Sequence, residues 1–328
     1  MIRRLLRKSF YATVALLSIG CSIHIASAQT FPSKSVRFIV CFAPGGSTDT
    51  VARLFAAALS ERWAQQVVVD NRPGGGTIIS TEITARAPPD GHTFLIVDPS
   101  FAINPGLYKK LPYDPVRDFA PVTLLASLPL MLVVHPSVPA KSVQELIALA
   151  RAKPGFLSYA SAGIGGSSHM APEIFKHLAH IDIVHIPYKG GGPAVIDLVA
   201  GQVSIAFQGI PAVLHHVRAG KLRALAVSSA KRSAIVPDVP TIAEGAGMPG
   251  YDVISWQGIF TPAGVPAAII AKLQSDMASI AHTADIKSKL AALGAEPVGS
   301  TPAQFSAYLT SQMETYANVI RTAGIRPE

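Results

Sequence analysis

Twice along this chain an apolar run passes straight into a glycine-rich turn and then into a helical pattern, and that repeat limits the fold more than any other feature. Phe38–Phe42 leads into Ala43-Pro44-Gly45-Gly46-Ser47-Thr48-Asp49, and Leu157–Ala160 leads into Ser161-Ala162-Gly163-Ile164-Gly165-Gly166-Ser167-Ser168-His169. A continuous apolar run suits a strand covered on both faces. After the first turn, Val51, Leu54, Phe55, Ala58 and Leu59 fall at i, i+3, i+4, i+7 and i+8, one buried stripe of a helix. Further strands are expected at Val67–Val69, Phe94–Val97, Leu130–Val134, Ile183–Ile186, Val203–Phe207 and Leu222–Val227. Strands alternating with helical patterns predict an α/β chain with a mainly parallel sheet in each half. Ser142-Val-Gln-Glu145 and Thr301-Pro-Ala-Gln304 have the capping-box pattern that opens a helix. The second predicts a C-terminal helix with Phe305, Tyr308, Leu309, Gln312 and Tyr316 at helical spacing, and Gly294 marks the end of the helix before it.

Hydrophobic residues make up 49% of the chain against 15% charged, which excludes a disordered polyelectrolyte and allows a large core. Two cysteines exclude a disulfide scaffold and a cysteine-rich zinc domain. Length predicts about two domains. Pro-rich connections near 112–139 and 237–266 are where a chain would cross between two lobes. The expected division is lobe 1, discontinuous, at 29–128 plus 255–328, and lobe 2 at 129–254.

The formal charge of +8 reads as basic until it is located. Arg3, Arg4, Arg7 and Lys8 precede an apolar stretch from Ala12 to Ile19, and Ala26-Ser27-Ala28 supplies the small residues of a cleavage site. That is the build of an export signal over residues 1–28, cleaved after Ala28, so the expected destination is the periplasm. Lipid attachment at Cys21 is the lesser alternative, because Ser18 stands where such signals carry Leu. The mature chain retains +4 with no cationic cluster and 7% aromatics, a poor match to a nucleic-acid surface. Cys41, the remaining thiol, sits in an apolar run and reads as a buried small hydrophobe.

Glycine lets a backbone turn tightly and approach a ligand, and the free amides of a helix's first turn, with the helix dipole, favour an anion. Ser47, Thr48, Ser167 and Ser168 add hydroxyl donors. One such loop is by itself a tight strand-to-helix turn; two, one per half, leave a shared anion between them and a pair of plain turns as the alternatives. A third run, Pro187-Tyr188-Lys189-Gly190-Gly191-Gly192-Pro193, can add Lys189 or the Tyr188 hydroxyl. Enzymatic patterns fit less well. Neither G-x-G-x-x-G nor the P-loop pattern is matched. Ser161 is one glycine short of the nucleophile elbow, although His169 could act as its base in an α/β hydrolase. His177-x-x-His180 and His215-His216 read as helix-surface residues, and no metal or cofactor is expected.

Blocks such as RFIVCFAPGGSTDTVARLFA, AINPGLYKKLPYDPVRDFAPVTLL, LSYASAGIGGSSHMAPEIF, VHIPYKGGGPAVIDLVAGQV and PDVPTIAEGAGMPGYDVISWQGIFTPAGVP follow in order. Each resembles a block of the Bug family, periplasmic substrate-binding proteins of tripartite tricarboxylate transporters. The resemblance implies a two-lobed type II (Venus-flytrap) binding protein that is not an enzyme, and a monomer is expected. It would close on a small carboxylate, whether a di- or tricarboxylate, an acidic amino acid or an aromatic acid, and present it to membrane transporter subunits. A binding protein uncoupled from transport, acting as a carboxylate sensor, is the further alternative. By position, the resemblance assigns Ala43 to Asp49, Thr77 and Ser100 to the ligand from the first lobe. From the second it assigns Ser161, Gly163, Gly166, Ser167, Ser168 and His169, with Tyr188, Lys189 and Gly190 nearby. The chain departs from the family's pattern at Cys41 (usually Pro), at Ser80 (usually Gly), and at Ser204 and Gln208 (commonly Asp). Gln208 is expected either to donate its amide to a carboxylate or to follow its strand without touching ligand.

Overall fold

The computed structural model describes residues 31–326. The chain divides into residues 1–33 and a compact unit of residues 34–328, and the second unit carries the architecture below. The export-signal reading of residues 1–28, with cleavage after Ala28 and the alternative at Cys21, lies outside the described residues.

Strands and helices alternate as the apolar periodicity requires. The order begins β1 (Val36–Val40), α1 (Ser47–Trp63), β2 (Val67–Asn71), a 3-10 turn at Gly75–Thr77, α2 (Ile78–Ala85), β3 (Thr93–Val97), α3 (Ser100–Leu107) and β4 (Phe119–Val134). It continues with α4 (Val143–Ala152), β5 (Ser158–Ser161), α5 (Ser167–Ala179), β6 (Val184–Pro187), α6 (Gly191–Val199), β7 (Ile205–Gly209), α7 (Ile210–Arg218) and β8 (Arg223–Val227). It closes with α8 (Ile242–Ala246), β9 (Ile254–Pro262), α9 (Ala267–Ala281), α10 (Ala284–Ala292), β10 (Glu296–Pro297) and α11 (Pro302–Ala323).

The strands lie in the order β2-β1-β3-β9-β4-β7-β5-β6, with β8 and β10 also paired to β4. β1 pairs in parallel with β2 and β3, and β5 pairs in parallel with β6 and β7. Each parallel group has its strand-to-helix turns at one end, where ligands of open α/β sheets collect. Between the groups run β4 and β9, which are antiparallel to their neighbours. The proline-rich stretches expected as connections near 112–139 and 237–266 therefore contain two long strands. Pro121 is tolerated because the pairing of β4 with β9 slips between Pro121 and Thr123, and Pro129 falls where β4 leaves β9 and takes up β7.

Hydrophobic residues gather in separate clusters on this frame. One joins Ile39, Leu95, Phe101, Phe119, Trp256, Phe260 and Phe305. A second joins Leu132, Leu146, Tyr159, Phe175, Phe207 and Tyr251, and a third joins Met131, Ala160, Leu198, Val213 and Val227. The expected stripe on α1 is buried at Val51, Phe55 and Leu59, with Ala52 and Ala56 beside it. On α11 the buried positions are Phe305, Leu309, Tyr316 and Ile320, whereas Tyr308 is exposed. Thr301 and Gln304 form the full capping box. Ser142 accepts the amide of Glu145, but Glu145 reaches back to the Lys141 amide instead of that of Ser142, so this cap is only half a box. Gly294 takes φ 78° just beyond α10, as a helix stop requires.

Candidate functional site

The loop after β1 and the loop before α6 meet face to face. The amide of Ala43 donates to the carbonyl of Lys189 at 2.8 Å. A Cβ on Gly190 would lie 2.7 Å from that same amide, and Gly190 itself has φ 148°, so only glycine fits here. A Cβ on Gly192 would sit 2.3 Å from the Pro44 carbonyl oxygen, and one on Gly46 would sit 3.3 Å from the Gly191 amide. Gly190 and Gly192 are thus glycine because the first loop passes directly against them.

Two cavities open beside this junction. The larger, about 400 Å³, is lined by Cys41, Phe42, Gly74–Gly76, Thr77, Ile78, Tyr108, Ala162–Ile164 and Pro187–Lys189. That volume is in the range of small-molecule sites. The smaller, about 20 Å³, is walled by Gly46, Ser47, Thr48, Asp98, Ser167, Ser168, Gly191, Gln208, Ser255 and neighbours, and it shares Phe42 and Ala162 with the larger one. Its wall brings the hydroxyls of Ser47, Thr48, Ser167 and Ser168 and the Gln208 amide beside the Asp98 carboxylate. No side chain caps the N-terminus of α1. Gln208 is 3% exposed on β7, and its Nε2 has no hydrogen-bond partner. A buried amide donor without an acceptor costs about 1–3 kcal/mol, so such a group points to an acceptor it is built to meet.

Several other expected site residues already have partners within the protein. Asp49 is buried with its Oδ1 accepting from Asn71 Nδ2 and its Oδ2 from the Gly45 amide and Arg53 Nε. Burial alone would raise its pKa, but these donors more than offset it and hold the carboxyl below its usual range. It braces its own loop. Thr77 and Ser100 bond each other at 2.9 Å, with Thr77 on the wall of the larger cavity. Ser168 Oγ accepts the Ala162 amide, fixing the turn before α5. Gly166 is the residue preceding α5. Tyr188 donates to Asp197 at 2.7 Å, and burial together with that bond pushes its hydroxyl up to about 12. Lys189 is exposed on the larger cavity's wall.

The serine and histidine of the hydrolase alternative do not form that pair. Ser161 Oγ lies 2.6 Å from His185 Nε2, and the Gly163 amide donates to Ser161 at 3.2 Å. His169 instead accepts the Gly165 amide and stacks on His185, which also stacks on Tyr159. Ser161 is fully buried and lines neither cavity. The result is a structural stack under the second glycine loop, with Glu173 held by Tyr159 and Lys176 at 2.7 Å each. Burial pushes His185 down to about 4, against the pull of Glu173 and with that of Lys176. The unfolded chain takes up this proton near pH 6.5, so it binds more protons than the native state between the two values. Stability from this residue is therefore present above pH 6.5 and lost as pH falls towards 4, about 3 kcal/mol in all. Urea unfolding at pH 7 and pH 4.5 should show a smaller pH difference in His185→Gln than in the parent. An equal difference in both would contradict the assignment.

Asp98, which sequence reasoning did not single out, is the buried acid on the wall of the small pocket. It follows β3 directly, and an acid at the carboxyl end of an apolar strand was the available signal. Its Oδ2 accepts from the Ser167 amide and lies 3.1 Å from the Ser167 hydroxyl, while Oδ1 accepts from the Ser100 amide. Burial raises its pKa despite these bonds. Phe42, Tyr108 and Ser255 are further wall residues that lacked a local signal.

Residues 51–325 match the family described as tripartite tricarboxylate transporter family receptor. BugT of Bordetella pertussis (strain Tohama I) is 38% identical over 302 residues, 92% of this chain and 92% of that protein. Among solved structures, Rpa4515 of R. palustris with adipate superposes with a TM-score of 0.88 at 37% identity, covering 91% of this chain and all (100%) of that one. MatC (Rpa3494) from Rhodopseudomonas palustris with bound malate gives 0.84 at 33% identity, covering 88% of this chain and 100% of that one.

Proposed function

Because the chain belongs to the tripartite tricarboxylate transporter receptor family, we propose that it is an exported receptor that encloses a small carboxylate between two lobes and delivers it to membrane transporter subunits. The fold is that of a two-lobed type II binding protein. The lobes are taken as 29–128 plus 255–328 and 129–254. This division is supported by the core clusters: two draw only on residues 130–253, and the third draws on residues 39–124 and 256–325 with Met170 as its one buried outsider. Export to the periplasm is supported by the composition of residues 1–28. The role is binding without catalysis, carried out by a monomer.

The observation that carries this reading is the unpartnered Gln208 Nε2, buried on the wall of the small pocket at the uncapped N-terminus of α1. A carboxylate oxygen placed there would accept from Gln208, from the first-turn amides of α1 and from the hydroxyls of Ser47 and Thr48. Each bond to a charged acceptor is worth about 1.5–3 kcal/mol. The pocket holds about one water, so the lobes must part to admit ligand and close again around it.

Calorimetric titration with a panel of small mono-, di- and tricarboxylates tests the proposal, with thermal shifts following mass action as a check. Saturable binding of at least one carboxylate is expected. Gln208→Glu should weaken it by more than about 100-fold, since one donor is lost and a like charge is gained. Flat responses across the whole panel would sink the reading.

A further inference from the structure

Two helix N-termini face the site, and they are not equivalent. The N-terminus of α5, a 13-residue helix, already holds an anion: the Asp98 carboxylate, which accepts the Ser167 amide at 3.1 Å across 69 positions of sequence. That carboxylate is 3% exposed, and its second oxygen is tied to the Ser100 amide. The N-terminus of α1, a 17-residue helix, holds none. Its own acid, Asp49, is turned back onto Gly45, Arg53 and Asn71. In its place stands the buried, unpartnered amide of Gln208.

Resting on the carboxylate-receptor reading, we propose that Asp98 is a specificity-determining residue: an internal carboxylate that fills the α5 anion site and restricts the ligand to one buried carboxylate, received by α1 and Gln208. A ligand carboxylate aimed at α5 would have to displace Asp98 from its hydrogen bonds or lie beside a like charge, and both are unfavourable. The rest of the ligand extends past Phe42 and Ala162 into the larger cavity. Phe42, Ile78, Tyr108 and Ile164 give that space apolar walls. Its one cation, Lys189, is exposed, where an ion pair contributes little. A second carboxylate would lose water in this cavity without a buried partner in return. The favoured ligand class is a monocarboxylate with an aromatic or short aliphatic body.

The test is a calorimetric comparison of benzoate, hexanoate, adipate and malate on the parent protein and on Asp98→Ser. The parent is expected to bind benzoate or hexanoate at least tenfold more tightly than adipate. Asp98→Ser vacates the α5 N-terminus, and the adipate-to-monocarboxylate affinity ratio should rise about tenfold or more. Asp98→Asn keeps the shape and removes the charge, and it should move the ratio the same way. It also keeps the test open if the serine variant lacks a cooperative unfolding transition. A parent protein that prefers adipate or malate overturns the assignment of Asp98 alone, as does an unmoved ratio in folded variants. Silence toward all four ligands overturns both this assignment and the receptor reading beneath it.

Discussion

Gly192→Val is expected to weaken ligand binding by about 100-fold or more while leaving the ligand-free protein nearly as stable as the parent. The added Cβ would lie 2.3 Å from the Pro44 carbonyl oxygen, a backbone atom that cannot swing aside like the tip of a side chain. Ordinary contact needs more than 1 Å of further separation. That displacement would break the Ala43–Lys189 backbone bond and pull the α1 N-terminus back from Gln208. A hundredfold loss corresponds to about 2.7 kcal/mol, roughly the sum of one neutral bond and one charge-assisted bond. In the proposed ligand-free form, with the lobes apart, the same methyl groups would face water and cost little. Calorimetry for affinity and thermal unfolding for stability separate the two effects. Parent-like affinity would show that the first and third glycine runs need not meet for binding.

The largest stability effect is expected from Phe260→Ala, a loss of about 3–5 kcal/mol. Phe260 is fully buried on β9, stacked on Phe101 at 4.1 Å and tilted against Phe305 at 5.0 Å. Phe119 approaches the same ring edge-on at 6.4 Å. These partners come from β4, α3 and α11, so no single element can move to fill the void. The transfer term and the cavity term therefore add instead of cancelling. Urea unfolding of the two proteins measures the difference, and a loss under about 1 kcal/mol would show that the cluster repacks.

What was legible in the sequence was local. The strand–glycine–helix passages after Phe42 and Ala160 were readable because turn, cap and apolar stripe lie within about twenty residues of each other. β9 was not recognised, and β4 only at its Leu130–Val134 end, because Pro121, Pro129 and Pro262 argue against strand, and a register slip that excuses Pro121 exists only once the partner strand is in place. The candidate site divides in the same way. The residues that frame the small pocket from one loop, Gly46 to Thr48, were identified by their own pattern. Asp49 was identified with them, yet its carboxylate is spent on Asn71, 22 positions away. Asp98 escaped notice because its meaning depends on Ser167. Gln208 carried two opposed readings until its neighbours showed its Nε2 without an acceptor.

Strand β4 has a consequence for how damage spreads. Its first part is stitched to β9 as far as Pro129, and its last five residues to β7 and β8, with the Leu130 amide held by Ser228 Oγ where the partners change. One uninterrupted strand thus serves as an interior member of both halves. Neither half can melt while the other keeps its sheet whole, so the two halves share one cooperative fate. The same sixteen residues that carry the pairing of both halves therefore tie their stabilities together.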